Sequence, residues 1–263
     1  MIPYIIRRLV QSVIVLFGVT IIVFIILHLL PGGPARALLG PRATGLQVHE
    51  FIAENGYNKP VWIQYGTYIG HLLQGKLGYS IHYNQTVNSL LAQYLPKSVL
   101  LVGLSYLVSV IIAIPLGILQ AVRRNQPVDY TLTGASFVGY SMPVFWLGIL
   151  LILVFAVDLH VLPPEGPQGS TVQAVLGQPL GLILPVATLS IVTVAQFSRF
   201  MRSAAIDNLV QDYIRTARAN GLSARAVLFR HLLRNCLIPI ITLIGLSLPA
   251  TLSGAVITES VFN

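Results

Sequence analysis

Five stretches of this chain, 9–30, 98–122, 131–157, 180–198 and 236–258, run without a single acidic residue, lysine or arginine. A hydrocarbon core about 30 Å thick is crossed by roughly 20 apolar residues in a helix. Lipid also admits only segments whose backbone groups pair among themselves. The pattern therefore predicts an all-α polytopic membrane protein with five spanning helices. Pro115 and Pro143 fall inside two of the runs and predict bends there. The first run exceeds a signal-peptide core and ends in Leu30-Pro31-Gly32-Gly33-Pro34, a helix stop rather than a cleavage site, so it reads as a retained span.

Between the first two runs, residues 31–97 mix polar and apolar positions over a length that ordinary connections do not reach. Short helices are predicted at 46–54, 61–73 and 87–94, punctuated by glycine and proline at 56–60 and 75–78. The chain thus divides into 1–30, the N-terminus and first span; 31–97, a structured extracytoplasmic cap; and 98–263, the membrane core.

A third pattern occupies about 204–235. Ile206, Leu209, Val210, Tyr213, Ile214 and Ala217 recur at helical spacing, with Asp207, Gln211, Asp212, Arg215 and Arg218 on the other faces. This predicts an amphipathic helix leaving the membrane. Gly221 stands where a helix end wants a left-handed residue, and Ser223 can cap a second helix over 224–234. Arg230 and Arg234 would share a face of that helix, facing lipid headgroups or a partner's carboxylates.

Composition agrees with the pattern. Of 263 residues, 55% are hydrophobic and 9% charged, against about 25% charged in soluble domains. The net charge of +8 matters through its placement. With the N-terminus in the cytoplasm, eleven of the sixteen basic residues fall on the inner side, among them Arg7, Arg8, Arg123, Arg124, Arg199 and Arg202. Five spans starting inside end outside at Asn263, and the abrupt end predicts a sixth span beyond it.

Candidate chemistry is sparse. The single cysteine, Cys236, permits no intramolecular disulfide or cysteine cluster. There is no His-Glu-x-x-His, no Gly-x-Ser-x-Gly and no phosphate-binding Gly-x-x-x-x-Gly-Lys-Ser/Thr, so catalysis and nucleotide binding by this chain are both unexpected. His28 is the one ionisable side chain within a predicted span. An ion-coupled secondary transporter or a channel, which buries such groups, remains the alternative reading. A DNA-binding role for the basic helix-turn-helix is disfavoured, since both its ends are tethered to spans. No nucleic acid partner is expected.

The run Asp212-Tyr213-Ile214-Arg215-Thr216-Ala217-Arg218-Ala219-Asn220-Gly221-Leu222-Ser223 resembles the cytoplasmic coupling loop of permeases of ATP-driven (ABC) importers. That loop carries Glu-Ala-Ala, three residues, then Gly. Arg215-Thr216-Ala217 in place of Glu-Ala-Ala, with His231 and Arg234 in a following His-x-Leu-Arg, is similar to the dipeptide and oligopeptide branch. So are Leu29-Leu30-Pro31-Gly32-Gly33-Pro34-Ala35, Gly75-Lys76-Leu77-Gly78-Tyr79-Ser80 and Ser141-Met142-Pro143-Val144-Phe145-Trp146.

The resemblance implies a multi-pass subunit of the bacterial inner membrane that forms half of a path for short peptides. Its implied partners are a second homologous permease, two cytoplasmic ATPase subunits and an extracytoplasmic substrate-binding protein. ATP and magnesium would reside on the ATPase subunits, and this chain would bind no cofactor. The coupling residues carried over are Arg215, Thr216, Ala217, Ala219, Gly221, Leu222, Ser223, His231 and Arg234, with the turn at Gly221 docking in a cleft of the ATPase.

Overall fold

The computed structural model describes residues 2–40, 42–169 and 171–262, and the chain forms two compact units, Met1–Leu91 and Ala92–Asn263. Among the described residues, four helices are long and apolar enough to cross a membrane, and a fifth crossing is available if a strongly bent helix pair counts as one. The protein is an all-α polytopic membrane protein.

In the first unit, α1 (Ile2–Leu29) buries none of its side chains within the chain, although it is apolar almost throughout. Three short helices follow: α2 (Gly33–Leu39), α3 (Gly45–Glu54) and α4 (Val61–Leu73). The sequence pattern does not predict α2. It starts after a left-handed Gly32 with Pro34 in its first turn, where the missing amide of proline costs no hydrogen bond. A capping box starts α3: Thr44 Oγ1 accepts from the Gln47 amide, and Gln47 Oε1 accepts from the Thr44 amide.

Tyr65 on α4 meets Phe24 and Phe17 edge-on at 5.1 and 5.9 Å, and its hydroxyl lies 2.9 Å from Thr20 Oγ1. His28 Nδ1 lies 2.8 Å from the Phe24 carbonyl and its Nε2 lies 2.9 Å from Gln64 Oε1. Both ring nitrogens are thus engaged locally. A small antiparallel hairpin of two-residue strands, β1 (Tyr79–Ser80) with β2 (Gln85–Thr86), leads into the next helix.

That helix, α5 (Val87–Val122), corrects the expectation of a separate short helix at 87–94, whose residues are its first turns. Pro96 and Pro115 lie inside α5 without interrupting it. Neighbouring groups within a bundle can serve the carbonyls that a proline leaves free.

The third apolar run, 131–157, is also corrected. It is no single helix but α6 (Pro127–Ser141) and α7 (Val144–Ile152, continued by a π-helical turn Leu153–Asp158), bent by 101°. Pro143 is the cause: a residue preceding proline is pushed out of the helical region, and Met142 is extended at φ −76°, ψ 127°. The bend borders a cavity of about 630 Å3 walled by Phe137, Met142, Phe145 and Trp146.

A short α8 (Val172–Leu176) precedes α9 (Pro179–Leu209), the axis of the second unit, against which α6, α7 and α12 (Leu233–Val261) pack. Small residues let α5 approach it. Ser109 Oγ donates to the carbonyls of Ser105 (2.6 Å) and Ser190 (3.3 Å), and Ser190 Oγ donates to the Ser105 carbonyl (3.2 Å). Hydroxyls of this kind join helices where lipid supplies no hydrogen-bond partner. At its far end α12 is tied down twice: Ser98 Oγ donates to Glu259 Oε1 at 2.7 Å, and the Gly166 amide donates to the Phe262 carbonyl.

Candidate functional site

The segment that links α9 to α12 departs from the helix, turn, helix of the sequence reading. α9 runs on past Arg199 to Leu209, taking in the first residues of the predicted amphipathic helix. Gln211 is extended, and a separate helix α10 (Asp212–Ala219) begins. The second helix over 224–234 is not a unit of its own. A single turn α11 (Ala224–Ala226) passes into a π-helical stretch, Val227–Leu232, and then directly into α12. The i, i+4 face assumed for Arg230 and Arg234 is therefore set partly by π geometry, which carries a wider turn.

α10 is held by two residues. Ile214 and Ala217 are buried, and they belong to one apolar cluster with Ala121, Met201, Ala205 and Leu232. Four of the ten buried members of that cluster are alanines, which bring backbones close. Tyr213 adds a hydrogen bond from its hydroxyl to Asn208 Oδ1 at 2.7 Å. Asp212 in the first turn and Arg218 in the last complement the helix dipole.

The end of α10 satisfies its own carbonyls. The Leu222 amide donates to Ala217 O at 3.3 Å and the Gly221 amide to Arg218 O at 3.0 Å, the paired bonds of a Schellman ending. The geometry needs a left-handed residue, and Gly221 has φ +76°. Ser223 Oγ then accepts from the Ala226 amide at 3.3 Å and starts the next turn. Ser223→Ala should cost about 1 kcal/mol of local stability. Hydrogen exchange at the Ala226 amide reads it directly, with roughly fivefold faster exchange expected.

Of the carried-over residues, Arg215, Thr216, Ala219, Gly221, Leu222 and Ser223 are exposed, on α10 and its following turn. Ala217 is the exception: at 4% exposure it is a seat for α10 and not part of the surface. His231 is half-buried on the π-helical stretch and Arg234 is exposed on α12, so neither belongs to the turn itself. Arg215 reaches Asp212 at 3.3 Å, an ion pair between two well-exposed side chains. Beside the turn a groove of about 320 Å3 is lined by Val122, Leu209, Arg218, Leu222 and Leu228, among others.

One pair escaped the sequence reading. Asp129, in the first turn of α6, is 2% exposed and receives both Arg202 Nε and a terminal guanidinium nitrogen of Arg202, each at 2.7 Å. The Asn125 amide and Thr133 Oγ1 also donate to its carboxylate, at 3.0 and 3.3 Å. Asn125 is left-handed at φ +62°, which turns the α5–α6 connection so that its amide faces the carboxylate. Charge-free runs conceal such a pair, because both partners lie just beyond the runs' ends. Nearby, Gln120 Oε1 is buried and accepts no hydrogen bond from the described residues. No group of three histidine, cysteine, aspartate or glutamate side chains that could hold a metal occurs among the described residues.

Comparison with known proteins places the whole chain. Residues 113–263 match the model of the binding-protein-dependent transport system inner membrane component, and residues 1–102 match the model of the N-terminal region of such membrane components. The oligopeptide transport system permease protein AppB of Bacillus subtilis is 39% identical over 265 residues, covering 100% of this chain and 84% of the relative. A probable peptide ABC transporter permease, y4tP of Sinorhizobium fredii, is 40% identical, covering 99% of this chain and 83% of the relative. The dipeptide transport system permease protein DppB of Escherichia coli K12 is 32% identical, with 100% and 84% covered. Matched along essentially its full length and built from apolar helices with no enzymatic motif, the chain belongs to the family of binding-protein-dependent transport system inner membrane components and is a permease subunit of an ABC importer.

Proposed function

We propose that this permease forms half of the path by which short peptides, delivered by an extracytoplasmic binding protein, enter the cell, and that α10 with the Gly221 turn is where ATPase motion is received. A second homologous permease completes the path. Two cytoplasmic ATPase subunits carry the ATP and magnesium, while this chain binds no cofactor. The N-terminus lies in the cytoplasm, which puts α10 on the side of the ATPase.

The observation that carries the reading is the construction of α10. A helix of eight residues is pinned from beneath by Ile214 and Ala217 and presents Arg215, Thr216 and Ala219 outward. A push on such a rigid element is delivered to Met201 and Ala205 of α9, the axis of the bundle. Rigid-body rocking of packed helices is how a local push becomes alternating access. Peptide cargo rests on the relatives, whose names specify oligopeptide, dipeptide and di/tripeptide transport.

The test is purification from solubilised membranes with the native neighbouring subunits, followed by reconstitution in vesicles and uptake of labelled short peptides. Recovery of a second permease with an ATPase pair, and uptake that needs both ATP and the binding protein, is the expected result. A chain that purifies alone and conducts without ATP would overturn the reading.

A further inference from the structure

We infer that Asp129 and Arg202 form a positioning latch that passes movement of α10 to the α5–α6 turn and so to the bent α6–α7 pair. The inference rests on the importer reading and adds to it two residues that lie outside the coupling loop.

The path is short and continuous. Ile214 and Ala217 of α10 share a buried cluster with Met201 and Ala205 of α9. Arg202 lies between those two in sequence, on the same turn of the helix, so a shift of α10 against α9 reaches its guanidinium. Arg202 grips Asp129 with two nitrogens at 2.7 Å, a fork geometry that transmits orientation as well as charge. Asp129 in turn holds the Asn125 amide at 3.0 Å, which fixes the connection between α5 and α6. Thr133, which donates to the same carboxylate, lies 3.5 Å from Gln120 Nε2 on α5. One carboxylate thus joins α9, α6, the α5–α6 turn and, through Thr133, α5.

The pair is costly as mere glue. Asp129 is 2% exposed and Arg202 27% exposed, and replacing a buried ion pair by apolar side chains of similar volume is often neutral or stabilising. What such a pair supplies is a defined arrangement, and its partial exposure on the arginine side leaves room to break and remake. Asp129 lies in the first turn of α6 and Arg202 about two turns before the end of α9, both beyond the charge-free runs.

The experiment compares wild type, Arg202→Lys and the double variant Asp129→Leu/Arg202→Met in the complete transporter with its ATPase and binding-protein partners. Three quantities are read: assembled complex, ATP hydrolysis, and labelled peptide moved per ATP hydrolysed. Arg202→Lys keeps the charge and loses the fork. The double variant removes both charges and leaves neither unpaired, while the Asn125 amide and the Thr133 hydroxyl lose the carboxylate as acceptor. For both, the latch requires assembled complexes that still hydrolyse ATP but move about tenfold less peptide per ATP than wild type. An unchanged ratio in any variant that assembles overturns the latch. So does a loss of assembled complex with the ratio preserved in the remainder, which is what a purely structural pair would give. Absence of ATP-dependent uptake by the wild-type complex would instead count against the importer reading and its peptide cargo.

Discussion

Gly117→Val is expected to remove most folded protein from the membrane, the largest effect foreseen for any single substitution in this chain. Gly117 lies on α5 against α9, and a Cβ there would stand 2.5 Å from Met201 Cβ and 2.7 Å from the Ser198 carbonyl oxygen. Neither atom is the free end of a flexible side chain. The carbonyl belongs to the α9 backbone, and Met201, fully buried, is at the centre of the cluster that seats α10. The helices would have to separate, which would stretch the hydroxyl contacts of Ser109 and Ser190 along the same seam. Overpacking of a filled core costs about 1–3 kcal/mol, and a contact with backbone puts this site at or above the upper end. The measurement is the yield of monodisperse protein in detergent and its thermal midpoint, with Gly103→Val alongside. Gly103 is exposed on the same helix and a Cβ there meets nothing within 4 Å. Equal yields and midpoints for the two variants would show that the α5–α9 approach does not depend on the missing side chain.

Gly221→Leu is expected to lower peptide uptake by about tenfold while insertion and the amount of protein stay at wild-type levels. Space is not the reason, because a Cβ on Gly221 meets nothing within 4 Å. The cost is in the backbone: at φ +76° a leucine is strained by roughly 1–2 kcal/mol. Relief of that strain would undo the two hydrogen bonds that end α10. Asparagine tolerates the left-handed region, so Gly221→Asn should keep the turn and most of the uptake. Leucine impaired and asparagine near normal would locate the function in the shape of the turn. Impairment of both would assign it to bare backbone at a tightly docked surface, and normal uptake by Gly221→Leu would refute a coupling role for the turn.

How far the chain could be read in advance depended on the range of the interactions involved. Apolar runs set where helices cross lipid, because each run must satisfy its own backbone within its own length. The runs 98–122 and 180–198 lie inside α5 and α9. Gly221 and Ser223 were equally legible, since a left-handed cap and a side-chain cap act over three or four residues. The run 131–157 misled, because hydrophobicity reports the solvent and not the direction of the helix axis. Pro143 marked the bend, but its angle of 101° belongs to the packing of α6 and α7 on α9.

The sequence by itself determined that this is a helical membrane protein, where most of its apolar helices run and where the Gly221 turn ends a helix, all of them consequences of local periodicity, of capping over a few residues and of backbone that must pair in lipid. The tertiary structure alone decided which residues around that turn are exposed and which face the core. Ala217 sits in the middle of the run 212–223 yet is buried, because its face of α10 packs in one cluster with Met201 and Ala205. Asp129 and Arg202 are 73 residues apart, and each alone reads as a charge at the edge of a span. Only the packing of α6 on α9 brings them within hydrogen-bond reach, because a pairing between distant segments leaves no periodic trace in either one.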